Sequence, residues 1–214
     1  MLNFSELKKS LLQFNLKAEK SELEKLYQFT DIIYESNRYL NITGTKEKDD
    51  IFIRHIFDSL SIFKYLNLKD FGNSNFESII DIGTGGGLPG IPIAIFKKNS
   101  KIYLLDSKIK KIKFLEYAVK EMGLKNVYII HGRAEDVANK DLFREKFDLV
   151  ITRALGSVGL AGKLLMPFCK LGGLAVMYKS RKLMEELKIY EKALESFGGK
   201  VEESIVINVP YLNE

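Results

Sequence analysis

The sequence has one cysteine, no tryptophan, two histidines and four prolines in 214 residues. A single thiol, Cys169, excludes an internal disulfide framework and suits a reducing compartment. Two histidines and one cysteine are too few for a conventional zinc centre, so no metal is expected. No apolar run approaches the ~18 residues of a membrane-spanning helix. The first residues are amphipathic and carry acids, which argues against a secretory leader. These absences lead to the expectation of a cytoplasmic protein without a membrane segment.

What is present is ample apolar material. Hydrophobic residues make up 46% of the chain, enough for one domain with a small extension. The net charge is +5, and the excess is uneven. Residues 1–76 carry 11 charges of each sign, whereas 77–150 carry 13 basic against 10 acidic and 151–214 carry 9 against 7. That balance permits a nucleic-acid partner without demanding one.

The apolar pattern changes period along the chain. Phe4, Leu7, Leu11 and Leu12, then Leu23, Leu26, Ile32 and Ile33, recur at helical spacing and predict helices over 4–14 and 21–37. Ser21 with Glu24 reads as the capping box of the second. Asn41-Ile42-Thr43-Gly44-Thr45 breaks it. A third helix is predicted from about Asp50 to Tyr65, with His55, Asp58 and Ser59 on one face. The polar stretch Asn67 to Asn75 is the one candidate boundary, dividing a helical extension, 1–70, from a second domain, 76–214.

From residue 77 onward strands alternate with helices. Strands are expected over 77–82, 101–106, 126–130, 147–151 and 172–178, with a sixth suggested over 201–208. Helices fall between them over 90–97, 108–122, near 135–143, 157–170 and 181–197, the fourth carrying Cys169 near its end. Such alternation predicts an α/β fold with a parallel sheet covered on both faces. Ligands of such sheets bind beyond the carboxyl ends of the strands.

The stretch Ile79-Ile80-Asp81-Ile82-Gly83-Thr84-Gly85-Gly86-Gly87-Leu88-Pro89-Gly90 reads as a strand, a glycine loop and a helix start. It contains the dinucleotide pattern G-x-G-x-x-G. Two features oppose a bound diphosphate. Asp81 would repel it, and Pro89 and Pro92 remove N–H groups that an anion would use. A cationic ligand such as S-adenosylmethionine suits the loop better. Asp106, about twenty residues on at the next strand's end, fits a carboxylate for ribose hydroxyls. A nicotinamide or flavin nucleotide remains the alternative.

Other candidates lie on the same predicted edge. Ala134 and Glu135 follow the third strand, where an adenine edge would be read. Arg153 ends the fourth strand, within reach of a cofactor carboxylate or a substrate base. The basic run Ser107 to Lys113 reads either as a solvated helix face or as a contact to RNA phosphates.

Together these motifs resemble the ribosomal small-subunit methyltransferase G family, also called the glucose-inhibited division protein B family. The resemblance rests on Asn41-Ile42-Thr43, Arg54-His55-x-x-Asp58-Ser59-Leu60, the run Asp81 to Pro92, Asp106-Ser107-x-x-Lys110-Lys111-x-Lys113-Phe114-Leu115, Arg133-Ala134-Glu135 and Thr152-Arg153-Ala154. It implies a Rossmann-like class I S-adenosylmethionine-dependent methyltransferase sheet. It also implies methyl transfer to N7 of one guanine in 16S ribosomal RNA, giving 7-methylguanosine. Cofactor contacts are implied at Gly83, Leu88, Ala134, Glu135 and Arg153, with Asp106 near the ribose; Asp81 and Gly85 are cofactor candidates from the loop motif itself. Members usually continue past the Asn-Val-Pro segment into a final basic strand, whereas this sequence stops at Glu214.

Guanine N7 has a free lone pair and no proton to lose, so such a site needs positioning rather than a strong base. Arg153, His55 and Asn41 are expected to place the RNA or the cofactor tail. A monomer acting on 16S RNA or the small ribosomal subunit is expected. The rival readings are a small-molecule methyltransferase, a nonenzymatic RNA-binding protein with a vestigial pocket, and a nicotinamide oxidoreductase.

Overall fold

A computed structural model describes residues 3–68, 76–179 and 183–212. The chain opens with two helices. Helix α1, Phe4–Leu12, is capped reciprocally, the Asn3 side chain accepting from the Glu6 N–H and the Glu6 carboxylate from the Asn3 N–H. Helix α2, Lys20–Leu40, begins before the expected Ser21 cap: Glu19 is the N-cap, and its N–H donates to the carboxylate of Glu22. Lys98 pairs with the same Glu22 carboxylate, a long-range contact that favours this start. Asn41 ends α2 in the left-handed conformation, φ 41°, which asparagine tolerates better than most residues.

The single helix expected over 50–65 is broken. A short α3, Lys48–Ile51, runs into a π-helical turn, Phe52–Phe57. A tight turn at Leu60-Ser61 precedes α4, Ile62–Leu68. The break coincides with side chains, one near and two distant in sequence, that bond the backbone carbonyls of this segment. Ser59 Oγ donates to the His55 carbonyl, and Arg153 donates to it as well. The Ser59 carbonyl accepts from Tyr178. The expected boundary over 67–75 lies mostly outside the described residues.

Five parallel strands follow: β1 Ser78–Ile82, β2 Lys101–Asp106, β3 Val127–His131, β4 Phe147–Arg153 and β5 Cys169–Tyr178. Their order is β3-β2-β1-β4-β5. Between them run α5 Gly90–Phe96, α6 Ile109–Glu121, α7 Ala134–Ala138 and α8 Val158–Leu165, and α9 Leu183–Ser196 follows β5. The fourth expected helix stops early because Pro167 lacks an N–H; a 3-10 turn, Met166–Phe168, delivers Cys169 as the first residue of β5 rather than the end of a helix. The sixth strand suggested over 201–208 is not formed. That segment has an alternating pattern, but Ile207 and Val209 pack on the helical core and it joins no ladder.

Strand alternation divides the core and places the candidate site. Ile79, Leu104, Leu149, Ile151, Leu174 and Val176 face the core shared with α1 to α6. Ile80, Ile82, Leu105 and Val150 face the core with α7 and α8. Side chains two residues apart share a face. Asp81, Asp106, Arg153 and Tyr178 therefore all point to the helical-bundle side, each at or near its strand's carboxyl end. Strand order reverses between β1 and β4, the position where parallel sheets open a crevice.

Candidate active site

The glycine loop is built on Asp81, which is fully buried. The N–H groups of Gly83 and Thr84 both donate to the Leu105 carbonyl, at 2.9 and 3.1 Å, turning the chain onto β2. Asp81 Oδ2 accepts from Thr84 Oγ1 at 2.7 Å and from the Gly90 N–H at 2.9 Å. Its other oxygen, Oδ1, is buried with no hydrogen-bond partner among the described residues. Burial pushes the Asp81 carboxyl up to about 6, against the pull of Thr84 and Gly90.

This arrangement uses up the start of α5. Gly90 donates to Asp81, Ile91 to the Gly87 carbonyl at 2.7 Å, and Ile93 to the Pro89 carbonyl at 3.2 Å, while Pro92 has no N–H. No N–H among these four is left for an anion. A Cβ on Gly90 would lie 2.3 Å from Leu104 Cδ2 and 3.0 Å from Asp81 Oδ2, so a larger residue there would have to move both side chains. At Gly86 a Cβ would lie 2.5 Å from Ile42 Cγ2, so the end of α2 rests directly on the loop.

Asp106 ties the second strand to the same loop. Its Oδ2 accepts from the Gly85 N–H at 2.9 Å and its Oδ1 from the Lys108 N–H at 2.8 Å. Its carbonyl accepts from the Gly132 N–H at 3.1 Å, which brings in the turn before α7. Ala134, half-buried, and Glu135, exposed, open that helix, but no bond joins them to the Asp106 carboxylate. Leu88 is buried. Lys111 Nζ donates to the carbonyls of Asn41 and Ile42, both at 3.1 Å, and the Asn41 side chain is exposed beside the loop. Lys108, Lys110 and Lys113 remain exposed.

Arg153 meets the helical bundle rather than open solvent. Its Nη1 donates to Asp58 Oδ2 at 3.1 Å and to the His55 carbonyl at 3.2 Å. Its Nε and Nη2 make no bond among the described residues. The His55 ring points elsewhere, with Nε2 2.7 Å from Thr45 Oγ1. Burial, then the charges of Arg153 and Arg54, lowers His55 to about 4 and leaves it neutral. Tyr178, paired with Arg153 across the ladder, donates its hydroxyl to the Ser59 carbonyl at 2.6 Å.

The structure thus brings Asp81, Gly83, Gly85 and Asp106 into one loop, and sets Asn41 over it through Ile42 and Lys111. His55 reaches Arg153 through its carbonyl, not its ring. Tyr178 and Thr84 were not among the sequence candidates. Tyr178 was findable, since it continues the Leu174, Val176 alternation onto the site's face. A cleft of about 670 Å³ lined by Phe4, Tyr27, Tyr39 and Tyr117 lies elsewhere and shares no residue with this edge. Among the described residues no group of three or more metal-ligating side chains comes together. No helix among them is long and apolar enough to cross a membrane.

Comparison with known proteins gives an independent result. Residues 22–209 match the family model described as "rRNA small subunit methyltransferase G". A ribosomal RNA small subunit methyltransferase G of Lachnoclostridium phytofermentans is 38% identical over 94% of this chain and 81% of its own. One from Clostridium tetani is 36% identical over 89% and 78%. Among solved structures, M. jannaschii TYW2 in complex with AdoMet aligns with a TM-score of 0.49 and 22% identity, over 65% of this chain and 64% of that one.

Proposed function

Because this chain belongs to the rRNA small subunit methyltransferase G family, we propose that it transfers a methyl from S-adenosylmethionine to N7 of one guanine in 16S ribosomal RNA. The observation that carries this reading is the occupied start of α5. Asp81 takes the N–H at the start of α5 that a dinucleotide's diphosphate would need, so the glycine loop is unfavourable to that anion and favourable to a cation.

The residues fit the methyl donor. The buried Asp81 Oδ1, unpartnered among the described residues, and the Asp106 carboxylate put negative charge beneath the glycine loop. When bound, S-adenosylmethionine supplies an electrophilic methyl on a sulfonium. Gly83 and Gly85 offer bare backbone to it, and Leu88 an apolar wall. Each Asp106 oxygen accepts one backbone N–H and has capacity left for a ribose hydroxyl. Ala134 and Glu135 stand where the adenine edge is read. The free Nε–Nη2 edge of Arg153 suits the donor's carboxylate.

The chain's contribution to the reaction is placement and exclusion of water. Guanine N7 needs no deprotonation, and the neutral His55 ring, engaged by Thr45, is arranged to support the wall rather than to take a proton. Asn41, exposed at the mouth, is placed to hydrogen-bond the base. The reading includes a helical extension, 1–70, a methyltransferase domain, 76–214, a monomeric state, and action in the cytoplasm without metal.

The test is incubation of the protein and S-adenosylmethionine with small subunits and with bare 16S RNA, followed by mass mapping. One added methyl, recovered as 7-methylguanosine, is the expected result. Cofactor binding without RNA methylation points instead to a small-molecule substrate. Absence of binding in calorimetry points to a nonenzymatic RNA-binding protein.

A further inference from the structure

The bundle and the sheet meet at one polar seam, and the seam is built around a single guanidinium. Both hydrogens of Arg153 Nη1 are engaged, one by Asp58 and one by the His55 carbonyl. That fixes the plane of the group. The edge left over is the Nε–Nη2 pair, two parallel N–H bonds with the geometry of a bidentate carboxylate site. The Arg153 and Asp58 side chains are only 17% and 25% exposed, so neither charge is freely hydrated.

Asp58 is itself held. It is the residue that follows the π-helical turn, and a carbonyl on each side of it is tied to a strand. His55 carbonyl goes to β4 through Arg153, and Ser59 carbonyl goes to β5 through Tyr178. Arg153 and Tyr178 are ladder partners, so the two ties are neighbours on the sheet. The His55 carbonyl takes Arg153 in addition to the Asp58 N–H, and the turn at Leu60-Ser61 leaves the Ser59 carbonyl to accept from Tyr178.

We infer that Asp58 and Tyr178 are positioning residues of the methyl-donor site: they clamp the π-helical turn onto the ends of β4 and β5 and hold Arg153 with its Nε–Nη2 edge open to a carboxylate. This rests on the S-adenosylmethionine reading above. Neither residue touches the donor; both act through Arg153. The clamp makes the helical bundle part of the cofactor site rather than a separate cover.

The experiment is calorimetric titration of S-adenosylmethionine into the unsubstituted chain and into Asp58→Ala, Asp58→Asn, Tyr178→Phe, Arg153→Ala and the Asp58→Ala/Arg153→Ala pair, with thermal melts alongside. Asp58→Ala and Arg153→Ala each weaken binding about tenfold, the effect of one lost charge-assisted bond. Asp58→Asn keeps an acceptor and recovers most of the loss, to within about threefold. Tyr178→Phe weakens binding about threefold, the effect of one loosened tie. The pair is no worse than Arg153→Ala alone, because Asp58 has nothing left to position. A merely structural role predicts a lowered melting temperature with losses that multiply in the pair. Wild-type affinity in Asp58→Ala and Tyr178→Phe, or multiplicative losses in the pair, overturns the inference while leaving the methyl-donor reading intact. No binding by the unsubstituted chain overturns both.

Discussion

The Asp81 carboxylate accepts the backbone N–H of Gly90 at 2.9 Å, so the first residue of α5 is capped from within the preceding strand. One interaction orients the helix, closes the loop and buries a negative charge. That charge has a pH signature. Burial raises the Asp81 carboxyl to about 6, above its unfolded value near 4. The folded state therefore binds a proton that the unfolded state has released between about pH 4 and pH 6. Stability from this group is full below pH 4 and falls as pH rises to 6, by about 3 kcal/mol. His55 runs the other way. Its folded value near 4 lies below the unfolded 6.5, so its contribution is lost as pH falls from 6.5 to 4, again by up to about 3 kcal/mol before allowance for its partial exposure. The two offset in the intact protein. Asp81→Asn removes the opposing Asp81 contribution and leaves that of His55. Denaturant unfolding of that variant should show stability rising more steeply from pH 4 to 6 than in the unsubstituted protein; equal slopes would mean Asp81 is ionised normally.

Gly86 and Ile42 give a packing test of how the bundle is seated. A Cβ on Gly86 would stand 2.5 Å from Ile42 Cγ2. Gly86→Ala should destabilise by about 1–3 kcal/mol through overpacking. Adding Ile42→Ala, which removes the colliding atoms, should restore part of that loss although Ile42→Ala alone is destabilising. Chemical unfolding of the three variants measures the coupling. Simple additivity would mean that α2 moves away from the loop at no cost.

Much of this was legible in the sequence because it is local. The alternation of Ile79 and Asp81 against Ile80 and Ile82, the glycines that follow, and Asp106 ending its own apolar run all fix positions within a few residues. What was not legible depends on contacts across the chain. The α2 cap shifts from Ser21 to Glu19 in a setting where Lys98 engages Glu22. The helix over 50–65 breaks where Arg153 and Tyr178, about a hundred residues later, claim its carbonyls. The pattern over 201–208 reads as a strand but lies on the helical core without a ladder partner. Periodicity reports which side of a segment is apolar, not which surface will cover it.

Cys169 offers a negative control for the chemistry. It is buried at the start of β5, and burial pushes its thiol up to about 11, so almost no thiolate exists at neutral pH. Cys169→Ala should cost about 1 kcal/mol of stability and leave methyl transfer unchanged. The measurement is methylation rate per folded molecule, with thiol alkylation of the native protein followed in parallel. A large loss of rate would require a covalent route through this sulfur.

Lysines at the start of α6 test the RNA partner. Lys108 is the N-cap and Lys110 lies in the first turn, which contains no acid. Cations there oppose the helix dipole, at roughly 0.3–1 kcal/mol each. Lys111 uses its ammonium to hold the Asn41 and Ile42 carbonyls, but Lys108, Lys110 and Lys113 are exposed and hold no side-chain partner among the described residues that would offset the penalty. A phosphate backbone would supply one. Lys110→Gln with Lys113→Gln should leave S-adenosylmethionine affinity unchanged, slightly raise the melting temperature, and weaken binding to 16S RNA. The slope of log affinity against log salt should fall by about 0.7 per lysine that contacts a phosphate on single-stranded RNA. A salt slope identical to that of the unsubstituted protein, with unchanged RNA affinity, would remove α6 from the RNA surface and leave these lysines as a solvated helix face.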